Sequence, residues 1–176
     1  MNKANILVAP RELKDQVERA SRVLGCEASV ADRLAEDVTF CEINYGQGIS
    51  SWLQIATLNS IALGEVLRSS LRLRLPIGAK SLDVHFDPPV LFVLLARTLH
   101  NQESCGITWS CDTEMTYGSS PIVSVHLRSD TSPSQTTSKK TIDALSTGLK
   151  VSLHEWEQLN EIASQFLMSE EILDAS

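Results

Sequence analysis

The chain has 176 residues, 43% of them apolar, and a net charge of −7, which suits one compact domain with a real core. No apolar run reaches the roughly 20 residues that cross a bilayer. Basic residues form no dense cluster, with Arg68, Arg72 and Arg74 and the pair Lys139-Lys140 as the nearest approaches, so neither nucleic acid nor membrane is an expected partner.

The first ten residues hold one Lys and a very short apolar segment, a poor signal peptide, so a cytoplasmic location is expected. Leu13, Val17, Ala20 and Leu24 recur at helical spacing between Pro10 and Gly25, which predicts a helix over 11–24. A second helix is predicted from Ser29, where Asp32 gives a capping-box-like start, to Tyr45-Gly46, where Gly46 supplies a left-handed cap. Its apolar stripe is Val30, Leu34, Val38 and Cys41, which leaves Glu36, Asp37 and Glu42 on the polar side. The short connection predicts that the two helices pack antiparallel. A third helical region follows Ser50 or Ser51, dense in apolar residues from Trp52 to Leu63, with Gly64 as a break.

The pattern then changes period. Residues 71–75 and 82–86 alternate strictly, as strands with one buried face do. A central helix is predicted over 87–99, with Asp87 as its cap, Pro88 in its first turn and an unbroken apolar run from Val90 to Ala96. Two more strands follow, one with Cys105, Ile107, Trp109 and Cys111 inward and one with Val123, Val125 and Leu127 inward. Gly118 to Pro121 supplies a turn between them, and a short extra strand is possible at Met115-Thr116-Tyr117. Residues 129–141 read as a flexible Ser/Thr-rich linker. The last helix starts at Ser152, with Glu155 completing a second capping box and Trp156, Leu159, Ile162, Ala163 and Phe166 on its apolar face.

The expected class is α+β (or α/β). A helical lobe of two to three helices over 1–70 leads to a β-β-α-β-β core over 71–128. The linker then leads to a C-terminal helix and tail over 142–176, all within one compact domain.

Chemistry-bearing patterns are sparse. Cys26, Cys41, Cys105 and Cys111 show no CxxC spacing and read as free thiols, mostly buried. Cys105 and Cys111 would stand roughly 20 Å apart along a strand, too far for a disulfide. His85, His100, His126 and His154 form no metal pattern, although His85 and His126 become neighbours if their strands pair. Gly118-Ser119-Ser120 is not a nucleophile elbow. No catalytic residue, metal site or cofactor is assigned. Gly46-Gln47-Gly48 follows a helix, so it reads first as a helix stop. Its functional reading is a ligand-binding turn walled by Glu42, Tyr45, Gln47 and Trp52.

The chain resembles a small bacterial family catalogued only as a domain of unknown function. The resemblance rests on Glu12-Leu13-Lys14 with Ala20, Gly25, Ala31 and Ala35, and on the run from Pro89 to Ala96-Arg97. It continues through Ile107-Thr108-Trp109, then Glu155-Trp156-Glu157-Gln158-Leu159 with Ala163 and Ser169-Glu170. It implies no activity and no catalytic residues. The first two helices are also similar to those of the malate/L-lactate dehydrogenases unrelated to Rossmann enzymes. That family's Ser-His-Gly motif is missing, since Gln47-Gly48-Ile49-Ser50-Ser51 holds no His, so the likeness is assigned to helix-hairpin physics alone.

Two functions remain from different classes. The first is a non-catalytic binding or accessory protein, with Trp156, Leu159 and Phe166 docking either on the chain's own core or on a protein partner or second copy. The second is a small enzyme acting on a small polar metabolite between helical lobe and sheet.

Overall fold

The computed structural model describes residues 4–58, 67–113, 116–130 and 139–174, with side chains through Phe166. It is a mixed α+β arrangement with two small antiparallel sheets. Strand β1 (Asn5–Val8) leads into helices α1 (Pro10–Val23), α2 (Ala28–Asn44) and α3 (Gly48–Ile55). A 3-10 turn (Ser69–Arg72) precedes β2 (Ser81–Leu91), α4 (Val93–Glu103), β3 (Ile107–Cys111) and β4 (Pro121–Ser129). Helix α5 (Lys139–Thr147), strand β5 (Leu149–Ser152) and helix α6 (Leu153–Asp174) complete the order.

The helical pair forms where its apolar spacing predicts, but α2 starts at Ala28 after Glu27, with no side-chain cap, rather than at the expected Ser29–Asp32 box. Pro10 opens α1, and Leu13, Val17 and Ala20 bury its inner face against Ala31, Leu34, Ala35 and Val38 of α2. Gly25 and Gly46 both take the left-handed conformation at the helix ends. Gly46 donates its N–H to the carbonyl of Cys41 at 2.9 Å, which closes α2. Helix α3 starts at Gly48, earlier than the sequence suggests, because Gln47 turns left-handed with φ 59°. Residues 59–64 of the expected third helix lie outside the described residues.

The central run is not one helix. Asp87, Pro88 and Pro89 stay in β2, and α4 begins only at Val93. Two successive prolines offer no N–H, and each pushes the residue before it out of the helical region. The ladder to β4 breaks between His85 and Val90, then resumes at Val90 opposite Ile122, so the strand bulges across the prolines. The apolar run is split between the end of β2, the turn at Phe92 and the first turn of α4, all facing the core. The same irregularity shifts the phase of β4: Ile122, Val125 and Leu127 are buried, and Val123 is not.

Residues 71–75 are not a strand. Leu71 lies in the 3-10 turn and is 52% exposed, while Leu73 just after it is fully buried. The expected β-β-α-β-β unit is therefore β-α-β-β, with sheet order β2-β4-β3. Cys105 is exposed before β3 rather than inward, and Thr116-Tyr117 form no strand. Met115 and residues 131–138 of the expected linker lie outside the described residues, whereas Lys139–Thr147 are helical.

The second sheet pairs β1 with β5, with Ile6 opposite Val151 and Val8 opposite Leu149. Helix α6 leaves β5 directly and packs on α1 and α3, adding Trp156, Leu159 and Ala163 to the single core.

Candidate functional site

The structure sends the four expected ligand residues to four different neighbours. Glu42 accepts the backbone N–H of Ile49 at 3.0 Å and that of Gly48 as well, so it caps α3 from α2. Burial raises its pKa against the pull of those two bonds. Trp52 is buried and donates its indole N–H to Ser21 Oγ at 2.9 Å. Tyr45 stands edge-on to Phe92, 4.9 Å between ring centroids. Gln47 is exposed, and its side-chain oxygen accepts the hydroxyl of Ser119.

The Gly-x-Gly segment is a joint between lobe and sheet. Gly46 O accepts the N–H of Gly118 at 3.0 Å, and Gly118 O accepts that of Val93 at 3.0 Å. A Cβ on Gly118 would lie 2.7 Å from Gln47 O and 2.8 Å from Ser51 Oγ. The close approach therefore requires glycine.

The face expected to dock a partner is used within the chain. Trp156 and Leu159 are buried in the core, and Phe166 is half-buried with the Arg22 guanidinium 5.8 Å above its ring.

Asp37 does not lie on a solvated side of α2. It is 4% exposed, bonded by Arg97 Nε at 2.6 Å and faced by Arg33 Nε at 3.7 Å. Arg97 also reaches Glu36 at 2.7 Å, and Lys14 bridges Asp32 and Glu36. Burial raises the Asp37 pKa, opposed by the two arginines. This network ties α1, α2 and α4 together, a structural role for buried charge.

A second cluster gathers at the C-terminal end of α4. Glu103 accepts the Trp109 indole N–H at 2.7 Å and pairs with His100 Nδ1 at 3.3 Å, beside Tyr45. Burial pushes Tyr45 up to about 12 and Cys111 up to about 11, and it raises Cys26 and Cys41 as well. At neutral pH these groups keep their protons, and a protonated thiol is a poor nucleophile. His126 pairs with Asp83 across β2 and β4 at 2.6 Å, and His85 lies opposite Ser124 on the same two strands. Among the described residues, no group of three or more His, Cys, Asp or Glu could hold a metal ion. No described helix is long and apolar enough to cross a membrane.

A groove of about 370 Å3 is the feature best shaped for a ligand, and the sequence-based reading did not single it out. One wall is the 3-10 turn, with Arg68, Ser69, Leu71 and Arg72. The other is the bulged part of β2, from Phe86 through Asp87, Pro88 and Pro89 to Val90. The turn is pinned from behind: Ser70 accepts from Arg33, and Leu73 O accepts from the Gln102 side chain. Arg72 holds its guanidinium 5.1 Å above the Phe86 ring. Neither Arg68 nor Arg72 forms an ion pair with a described residue. Four of the chain's 15 basic residues and none of its 22 acidic ones fall between positions 67 and 82. That local excess and the Pro88-Pro89 pair are the sequence signals that point here.

Comparison of the chain with protein-family models, with curated proteins and with solved structures gives no match in any of the three.

Proposed function

We propose that the protein is a non-catalytic binding or accessory protein that holds an amphipathic organic anion in the groove between the 3-10 turn and β2. The observation that carries this reading is the pair Arg68 and Arg72, outside every ion pair among the described residues, above an apolar floor. A guanidinium offers a fork of N–H donors that matches a carboxylate or phosphate, and charge-assisted bonds of this kind are the strong ones. Leu71 and the two proline rings, all exposed, give the rest of such a ligand an apolar surface to cover, while Phe86 and Val90 lie buried beneath.

The buried acids and raised thiols support binding over chemistry. Asp37 and Glu42 are committed to Arg97 and to α3. The metabolite-cleft reading draws on Glu42, Tyr45, Gln47 and Trp52, whose partners lie in different directions, so the groove is preferred.

A thermal-shift screen over alkyl and aryl carboxylates and phosphates tests this, read alongside the Arg68→Gln/Arg72→Gln double variant. A true ligand at 100 times its Kd adds about 2.7 kcal/mol of stability. The expected result is a saturable rise in melting temperature for the native chain that is abolished in the double variant. No rise with any amphipathic anion would refute the proposal.

A further inference from the structure

On the binding reading above, we infer that the groove prefers a free organic phosphate monoester to a carboxylate of the same body, with Arg68 and Arg72 sharing one dianionic head group. Both guanidinium groups line one groove, and neither is in an ion pair with a described residue. Arg72 is held above the buried Phe86 ring, and Arg68 stands at the start of the same 3-10 turn. Each guanidinium presents a fork of N–H donors. A carboxylate has two oxygens, and one fork satisfies both. A phosphate monoester has three terminal oxygens, so two forks can share it.

Charge points the same way. Arg68 and Arg72 bring two positive charges to the groove and Asp87 one negative, which leaves one net positive charge. A net positive site attracts a dianion more than a monoanion. Positions 67 to 82 hold four basic residues and no acidic one, and acidic groups farther off are screened beyond about 10 Å at 0.1 M salt. By Coulomb's law, one more negative charge about 5 Å from one net positive charge in water tightens binding roughly fourfold, and more where apolar walls lower the local dielectric. A dianion loses more hydration than a monoanion when it is buried. Here Arg68, Arg72 and Asp87 are all exposed, so a head group between them stays in contact with water.

The rest of the ligand is small. A groove of about 370 Å3 has room for a small molecule. Pro88 and Pro89 on its wall carry no backbone N–H. An extended peptide adds to a sheet edge through main-chain hydrogen bonds, and it finds no donor on this stretch.

Octyl phosphate, methyl octyl phosphate and octanoate share one tail. At pH 7.5 the first is a dianion, because a phosphate monoester loses its second proton near pH 6, and the other two are monoanions. Titration calorimetry on the full chain in KCl of about 0.1 M compares them. The native chain is expected to bind octyl phosphate about three- to tenfold more tightly than either monoanion, with octanoate still bound. Asp87→Asn should widen that margin and Arg68→Gln should narrow it, since one adds a net positive charge to the groove and the other removes one. On the native chain, added KCl should also narrow the margin, since salt screens the attraction; this arm needs no variant to fold. Either monoanion binding as tightly as octyl phosphate, or a margin that neither the variants nor salt moves, would overturn the inference while leaving the groove a binding site. Binding of none of the three would overturn both. Sedimentation with phosphatidylcholine vesicles, with and without phosphatidate, separates a lipid head group from a free phosphate. The protein is expected to stay in solution with both, and pelleting with the phosphatidate vesicles alone would overturn the assignment to a free molecule.

Discussion

Glu42 accepts two N–H groups of α3 and still has its pKa raised, because burial outweighs the bonds. A carboxyl with a raised folded pKa favours the folded state when protonated. Its contribution is complete below the unfolded value near 4.3 and is lost as pH rises through the folded value. Glu42→Gln cannot ionise and keeps one acceptor oxygen. The variant should therefore match the native chain near pH 4 and gain on it toward pH 7, as measured by urea unfolding across that range. Equal pH dependence in the two would show that Glu42 ionises in the fold without penalty. Asp37 sits in a stricter position, since Arg97 Nε at 2.6 Å is its nearest cation. Arg97→Met leaves a buried carboxylate facing only Arg33, a loss of about 3 kcal/mol. Asp37→Asn added to it should recover part of that loss. The double-mutant cycle measures the coupling, and strictly additive losses would mean the pair is not coupled.

At the scale of elements, local signals were legible and long-range ones were not. Pro10, Gly25 and Gly46 bound the two long helices correctly, because a cap depends on a few adjacent residues. The run from Asp87 to Leu99 departs from the single helix its composition predicts, since an unbroken apolar stretch has no period and serves a buried strand end or a helix equally well. Pro88-Pro89 decided for the strand. The basic excess and the proline pair mark the two walls of the groove singly, but not the groove, for a related reason. Its walls come from segments that only the tertiary fold brings together, and neither Arg68 nor Arg72 carries a motif. Gln47 and its glycine neighbours, which the sequence suggests as a ligand-binding turn, join lobe to sheet instead. That joint is testable. Gly118→Ala drives a Cβ against Gln47 O, which is backbone and cannot swing away. The loss should be about 1–3 kcal/mol, as for overpacking in a core, and a lower melting temperature measures it; an unchanged one would mean the lobes shift apart freely. Leu159→Ala probes the docking of α6 within the chain. Leu159 is fully buried, so a loss of about 2–5 kcal/mol is expected. A monomer of native stability would place that face outside the core.

Over the whole molecule, the two ends of the described chain close on each other. Strand β1 pairs with β5, Leu153 donates its N–H to Ala4 O at 3.0 Å, and α6 continues from there onto α1. Both strands have four residues, too few for alternation to stand out in sequence, which is why neither was anticipated. Val8 and Val151 enter the core from the same face of this pair, one from each strand, and burying one valine is worth about 1.5–2 kcal/mol. A chain lacking residues 1–8 loses Val8, the ladder and the partner of β5, and an isolated strand has no stable place in water. The expected drop is about 2–4 kcal/mol, or roughly 4–16 °C in melting temperature for a chain of this length. The groove belongs to the other sheet, which β1 and β5 do not join. Hydrogen exchange on the truncated chain should therefore show protection lost over 149–159 and kept across β2 and β4, with octanoate still bound. Protection retained over 149–159 would show that β1 does not hold α6 in place. Protection lost in both sheets together would mean that the molecule unfolds as one unit, with the clasp of its two ends a condition for the groove as well.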